Sequence, residues 1–268
     1  MIVTPKKSLG QHFLKDQNIA RAIAESLDVK SPTRVLEIGP GMGVLTQYLL
    51  QNELIDLKVV ELDSESVDYL NINFPALQGR ILAEDFLKLD LNKVYPEGDF
   101  YVIGNYPYNI SSQIFFKVLE HRDRIPVCSG MIQKEVAERM ASKPGCKAYG
   151  ILSVLMQAFY DIEYLFTVHE FVFDPPPKVK SAVIRMRRNG VSSLGCDEPL
   201  FVRVVKTAFN QRRKMLRNSL QTLLGKDNPV FSETVFTKRP EQLSVADFVD
   251  LTNLVEKTMP KDSANANL

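Results

Sequence analysis

Short apolar runs alternate with stretches in which apolar positions recur every three or four residues, the pattern of strands feeding helices in a layered α/β domain. Thr33 to Ile38, Leu57 to Leu62, Gly79 to Ala83, Phe100 to Ile103 and Val127 to Gln133 read as strands. Helices are expected at about 16–27, 44–51, 64–73 and 134–140, with another entered through Ser111 or Ser112. Farther on, 150–160 reads as helix, 161–168 as strand and 181–186 as the strand that closes the sheet. Strand–helix–strand spacing predicts a parallel, doubly wound sheet, whose ligands lie outside the carboxyl ends of its strands. Asn189 to Pro199 is polar and Gly/Ser-rich, a linker. Past it no strand pattern remains. Phe209, Leu216, Leu220 and Leu223 recur at helical spacing within Lys206 to Leu224, a further helix is expected at 244–258, and the tail from Lys261 is expected to be disordered. The domain reading is therefore 1–188, with 1–15 an amino-terminal segment, then a linker at 189–199 and a small all-α domain at 200–268.

Composition narrows the picture. At 268 residues, 45% hydrophobic and 24% charged, the chain can bury one full core and a smaller one. It lacks the roughly 20-residue apolar run that spans a bilayer, and Met1 to Lys7 lacks the apolar core of a signal peptide, so the cytoplasm is the expected address. Cys128, Cys146 and Cys196 are odd in number and lack Cys-x-x-Cys spacing; His12, His121 and His169 are scattered. Neither disulfides nor a metal site is expected. The net charge of +1 is uninformative, but its distribution is uneven. Lys206, Arg212, Arg213, Lys214 and Arg217, with Arg185, Arg187, Arg188 and Arg203, form a locally basic region, either a solvated helix face or a phosphate-binding one.

Candidate chemistry gathers at the strand ends. Gly39-Pro40-Gly41-Met42-Gly43 joins a buried strand to a helix, where the backbone can approach a ligand closely. Val44 stands where the dinucleotide fingerprint needs its third glycine. Glu37-x-Gly39-x-Gly41-x-Gly43 is instead the pattern of S-adenosylmethionine sites. Glu61, about 20 positions past the turn, can accept both hydroxyls of a ribose. Asp85 can accept an adenine amine and Phe86 can pack beside the ring, although a solvated acidic turn is the plainer reading. Asn105-Tyr106-Pro107-Tyr108 is a structural turn or a substrate edge. An exocyclic adenine amine is a poor nucleophile because its lone pair is delocalised into the ring. The Asn105 side-chain oxygen and the Tyr106 backbone carbonyl can each accept one of its N–H groups and draw the nitrogen toward tetrahedral geometry, without a titrating base. Tyr108 offers a stacking face. Phe173, ahead of the rigid Pro175-Pro176-Pro177 loop, is either the wall opposite Tyr108 or a core residue. Gln11, His12 and Phe13 form a segment that frays or folds over a ligand.

Together, Gly10 to Leu14, Glu37 to Gly41, Glu61 to Asp63, Asn105 to Ser111, Gln133 to Val136, Pro175 to Val179 and Phe209 to Lys214 resemble the ribosomal RNA adenine dimethyltransferases, through almost the whole chain in order. The resemblance implies a Rossmann-like, S-adenosylmethionine-dependent methyltransferase sheet with a helical RNA- and ribosome-binding domain. It implies transfer of four methyl groups to N6 of two adjacent adenosines near the 3′ end of small-subunit ribosomal RNA. By the same resemblance His12, Leu14, Gly39, Gly41, Glu61, Asp85, Phe86 and Asn105 hold the cofactor beneath the amino-terminal segment. Asn105 and Tyr106 face the target amine, and Tyr108 and Phe173 sandwich the base. Lys178, Arg212, Arg213, Lys214 and Arg217 are expected to meet RNA. The expected partner is an immature small subunit, bound by a monomer away from any membrane. Family members often carry Asn at His12 and Leu at Tyr106. Methyltransferases of large-subunit RNA share the fold and pocket, DNA adenine and protein glutamine methyltransferases use related turns, and an assembly factor with secondary methylation is a reading of another class.

Overall fold

The computed structural model describes Lys6 and residues 9–259; the expectation for the tail from Lys261 and most of that for Met1 to Lys7 lie outside the described residues. In chain order the strands are β1 (Phe13–Leu14), β2 (Thr33–Ile38), β3 (Ile55–Val60), β4 (Ile81–Leu82), β5 (Tyr101–Asn105), β6 (Val127–Gln133), β7 (Tyr160–Val168), β8 (Phe173–Asp174) and β9 (Ser181–Arg188). The α-helices are α1 (Gln17–Glu25), α2 (Thr46–Leu49), α3 (Ser64–Asn73), α4 (Leu91–Val94), α5 (Ser111–Glu120), α6 (Lys134–Ala141), α7 (Ile151–Gln157), α8 (Glu198–Asn210), α9 (Leu216–Ser219), α10 (Gln221–Leu224) and α11 (Val245–Thr258).

Seven strands form one sheet in the order β4-β3-β2-β5-β6-β9-β7. From β4 to β6 the pairings are parallel, and β9 joins β6 antiparallel. Six of the seven β6 residues are buried, as a strand covered on both faces requires, which is why the run is apolar but for Ser129 and the terminal Gln133. On one face Val35, Leu57, Val59, Ile103, Met131 and Val183 form a core with Ile23, Leu27, Leu45, Leu49 and Leu70. The chain leaves β2 toward β3 and β4 and returns to β5 on the other side of β2. A topological switch point therefore opens between β2 and β5, where open α/β sheets bind ligands. A separate two-stranded ladder pairs β1 with β8, Leu14 opposite Phe173.

The chain groups into two compact units, one running to Ala137 and resuming at Asp161–Arg188, the other made of Glu138–Tyr160 and the chain from Asn189 onward. Residues 138–160, expected within a 1–188 domain, thus group with the helices. The cause is apolar: α7 buries Leu152, Val154, Leu155 and Met156 and packs on α8 and α11. The helix expected across 206–224 is three pieces. The first, α8, begins earlier, inside the expected linker, where Asp197 accepts from the Leu200 N–H at 2.6 Å and Pro199 occupies the first turn. It stops at Asn210, where Gln211 leaves helical geometry at φ −121° and ψ 49°, and the next piece begins only after an extended Met215, the Leu216 N–H donating to the Lys238 carbonyl at 2.9 Å. Arg212, Arg213 and Lys214 consequently sit on a turn and not on a helix face. Likewise the helix expected at 44–51 shortens to α2, the turn before it occupying Gly41 to Leu45.

Candidate functional site

A cavity of about 210 Å³ opens at the switch point. Residues 9–14 line one part of it, Ile38 to Met42 follow β2, Glu61 and Leu62 follow β3, Glu84 to Leu87 follow β4, and Asn105 to Ile110 end β5. Loops far apart in sequence converge because parallel strands aim their carboxyl ends the same way.

The turn after β2 holds Gly39, Gly41 and Gly43 at φ +64°, +55° and +76°, a region that side chains rarely adopt. At Gly43 a Cβ would also lie 2.4 Å from the Phe74 ring. The turn is tied to the next strand end, since the Gly41 N–H donates to Glu61 Oε2 at 3.0 Å and the Asp63 N–H donates to Glu61 Oε1 at 2.9 Å. Two backbone donors therefore fix the Glu61 carboxylate; burial raises its pKa while these bonds oppose the rise. Beneath the turn Glu37 is buried and accepts from the Thr46 hydroxyl at 2.7 Å. Its carboxyl is pushed up to about 8, chiefly by burial and further by the Glu61 charge.

Asp85 accepts from the Leu87 N–H at 2.9 Å, closing the turn that carries Phe86. Lys117, on α5, braces this turn from behind. Its ammonium donates to the carbonyls of Phe86 at 2.7 Å and Leu87 at 3.2 Å and also to that of Leu89, and it lies 5.1 Å from the Phe86 ring centroid. Sequence reasoning passed over Lys117, since a lysine in the last turn of a helix looks like any solvated or dipole-pairing charge.

Residues 9–14 cross the cavity as a strap. Lys6 reaches Asp63 and Glu65, and the Gln11 amide donates to Asp63 at 3.5 Å. Gly10 passes so near Asn109 that a Cβ would lie 2.7 Å from its Oδ1. Asn105 Nδ2 donates to the His12 carbonyl at 3.3 Å. A carbonyl only accepts, so the amide nitrogen faces it and Oδ1 is left to accept from elsewhere. The His12 ring stacks on Tyr108, with centroids 5.5 Å apart and planes at 29°. The Tyr108 hydroxyl is held by Ser181 Oγ, and burial raises its pKa.

His12, Leu14, Gly39, Gly41, Glu61, Asp85, Phe86, Asn105, Tyr106 and Tyr108 thus all line one cavity. The Tyr106 side chain itself turns inward, its hydroxyl donating to the Ser129 carbonyl at 2.7 Å. Phe173 departs from expectation. It is 1% exposed, belongs to the core cluster with Leu14 and Val172, and does not line the cavity. Its place in β8 opposite Leu14 sends it into that core. Arg212 departs too, donating to Glu241 at 3.0 Å and to the Cys146 carbonyl at 3.3 Å as an internal tie. Arg213, Lys214, Arg217 and Lys178 are exposed. Of the basic cluster noted in the sequence, Arg185 and Arg187 pair with Glu163 and Asp28, and Arg188 pairs with Asp99. Among the described residues no metal-ligand cluster occurs and no helix is long and apolar enough to cross a membrane.

A Gly-rich turn, a braced carboxylate at the next strand end, a second acid and aromatic beyond it, and an Asn-Tyr-Pro-Tyr edge form a set of acceptors and apolar faces suited to a nucleoside carrying no phosphate. On this sheet they define an S-adenosylmethionine-dependent methyltransferase. The chain superposes on the crystal structure of a dimethyladenosine transferase from Plasmodium falciparum with a TM-score of 0.77 and 26% identity, over 92% of this chain and 98% of that one. The 23S rRNA methyltransferase ErmE shares the fold at a TM-score of 0.66 and 24% identity, over 90% and 99%. The chain belongs to the ribosomal RNA adenine dimethylase family, whose model matches residues 2–257. It is 67% identical over 264 residues, 98% of either chain, to the ribosomal RNA small subunit methyltransferase A of Parabacteroides distasonis.

Proposed function

We propose that the chain methylates N6 of two adjacent adenosines near the 3′ end of small-subunit ribosomal RNA to N6,N6-dimethyladenosine. It works as a cytoplasmic monomer on an immature small subunit, in subunit biogenesis. The observation that carries this reading is the Asn105 amide, oriented by the His12 carbonyl at the end of β5 and flanked by the Tyr108 ring. The likeness to a relative named for the small subunit supports the choice of RNA. When bound, S-adenosylmethionine supplies a methyl group on a sulfonium sulfur, which keeps the bonding electron pair as the methyl leaves.

Glu61 would accept the ribose hydroxyls and Asp85 the adenine amine of that cofactor, with Phe86 against its ring and Gly39 and Gly41 leaving room for the methionine end. His12 and Leu14 close the strap over it. On the substrate side Asn105 Oδ1 and the Tyr106 carbonyl accept the two N–H bonds of the target amine. Its lone pair would then be drawn out of conjugation and made available as a nucleophile. The methyl that the sulfonium supplies would bond to N6, which would then give up a proton to solvent. The neutral acceptors orient the amine and need no change of charge. Exposed Arg213, Lys214, Arg217 and Lys178 supply phosphate contacts.

The test is labelled methyl transfer to small subunits lacking the modification, beside naked RNA, large subunits and DNA, with nucleoside analysis. N6,N6-dimethyladenosine on the small subunit alone is the expected product. Label on large-subunit RNA would keep the chemistry and move the target. Tight subunit binding without label would make the chain an assembly factor.

A further inference from the structure

Phe171 is the most exposed of the large apolar side chains among the described residues, at 72%. It belongs to a single 3-10 turn, Glu170–Val172, closed by the Val172 N–H on the His169 carbonyl at 3.4 Å. The turn sends Val172 into the core and leaves His169 and Phe171 outside, where their rings stack with centroids 5.4 Å apart and planes at 17°. Offset stacking at this spacing is favourable, so His169 backs the phenyl ring and steadies it while most of the ring stays open to solvent. Neither ring lines the cavity.

The loop that carries this pair is fixed to the site at several points. The Val172 carbonyl accepts from the Lys15 N–H at 2.8 Å, Phe173 pairs with Leu14, and the Pro175 carbonyl meets the His12 imidazole at 2.8 Å. Ser181 holds the Tyr108 hydroxyl, and the Lys180 carbonyl accepts from the Lys134 N–H at 2.9 Å. Phe171 is two residues, at most about 7 Å of chain, from the Phe173 that faces Leu14 of the cavity wall. The loop and the strap residue bonded to it expose Lys15, Lys178 and Lys180 against an exposed Asp174 and a half-buried Glu170, so the rim is positive. A flat apolar face on a positive rim, continuous with the edge where RNA presents its adenine, fits an unpaired base between phosphates.

We propose that Phe171, backed by His169, is a stacking platform for the nucleotide next to the adenosine being methylated. An adenine can bring N6 to the Asn105 edge only after leaving its stack, and its neighbour in the strand then loses a stacking partner. The phenyl ring replaces that partner and offsets part of the cost of unstacking. Every base has a π face, so the platform adds affinity and register without reading sequence. Phe171 holds the strand and takes no part in the transfer itself.

This inference rests on the methylation reading of the neighbouring site, and the test keeps the two apart. Wild type, Phe171→Ala, Phe171→Trp and Phe171→Lys are compared on small subunits lacking the modification. The KM for the subunit and its salt dependence, kcat, the cofactor Kd and thermal unfolding are measured. Phe171→Ala should raise the subunit KM by roughly 5- to 100-fold, the range that removal of one base–aromatic stack implies, with a much smaller effect on kcat. Cofactor Kd and unfolding temperature should stay close to wild type, because an exposed ring outside the cavity supports neither cofactor nor core. The salt slope should match wild type, since no phosphate contact is lost. Phe171→Trp should keep the low KM, whereas Phe171→Lys, which adds a charge without a ring, should not restore it. Benzoylphenylalanine placed at position 171 and illuminated on the subunit should crosslink to RNA within a few nucleotides of the labelled adenosine, as read by reverse transcription. Equal KM values for wild type and Phe171→Ala would overturn the platform alone, as would a crosslink to a ribosomal protein or to RNA remote from that adenosine. A wild type that labels no adenosine would remove the methylation reading and the platform with it.

Discussion

Replacing Glu37 with Gln should change how stability depends on pH. Glu37 is 1% exposed and accepts the Thr46 hydroxyl, and burial, reinforced by the Glu61 charge, pushes its carboxyl from 4.5 in the unfolded chain up to about 8. Below 4.5 both states hold the proton and the residue contributes no pH dependence. Between 4.5 and about 8 the folded chain keeps a proton that the unfolded chain releases, so stability falls as pH rises. Above 8 both are ionised and the loss is complete. At about 1.4 kcal/mol per pH unit, that interval corresponds to a loss of up to about 5 kcal/mol. Gln keeps the shape and the acceptor for Thr46 but cannot titrate. Urea unfolding of cofactor-free protein, followed by circular dichroism from pH 5 to pH 8.5, should find the variant close to wild type at the acid end and more stable by roughly 3–5 kcal/mol at the alkaline end. Glu61, whose pKa burial also raises, is present in both proteins and largely cancels in the difference. Two stability curves that run parallel across this range would refute a buried, protonated Glu37.

Asn105→Ala removes the oriented acceptor and should lower kcat by roughly 10²- to 10³-fold, the usual loss for one preorganised polar group, while cofactor binding by calorimetry weakens but stays measurable; unchanged turnover would end its catalytic role. Lys117→Met takes away the ammonium that holds the Phe86, Leu87 and Leu89 carbonyls, so cofactor Kd should rise by about tenfold, matching some 1.4 kcal/mol, with the subunit KM unaltered. An equal rise in both constants would mean general loosening. Charge reversal at Arg213, Lys214 and Arg217 should weaken subunit binding and flatten the slope of log K against log salt by roughly 0.7–0.9 for each phosphate no longer neutralised. Reversal at Arg212 should instead destabilise the helical unit, through Glu241 and Cys146, and thermal unfolding distinguishes the two outcomes.

Much of the fold was legible because it is written locally. A run such as Val127 to Ile132, in which Ser129 is the one polar side chain, is expected only where both faces of a strand are covered, and β6 is such a strand. Glycines at 39, 41 and 43 mark a turn with positive φ, and the acids at 61 and 85 and the amide at 105 follow strands whose carboxyl ends a parallel sheet must gather. The break within 206–224 was less legible. Its helical spacing continues across the Gln211 to Met215 turn, and the chain resumes as helix where the Leu216 N–H meets a carbonyl at Lys238, a partner that no local pattern announces.

Chain order and periodicity thus determined the sheet, the ligand edge and the types of side chain gathered there. Only the tertiary structure decided which of those side chains meet. His12 lies 163 residues from the carbonyl that holds its ring, and 93 residues separate it from the Asn105 amide. Phe173 and Arg212 look like a base wall and an RNA ligand, yet one is drawn into the core by pairing with Leu14 and the other is taken by Glu241. A local pattern reports period and exposure. The partner of a side chain depends on where a distant segment returns, and that is set by packing of the whole core.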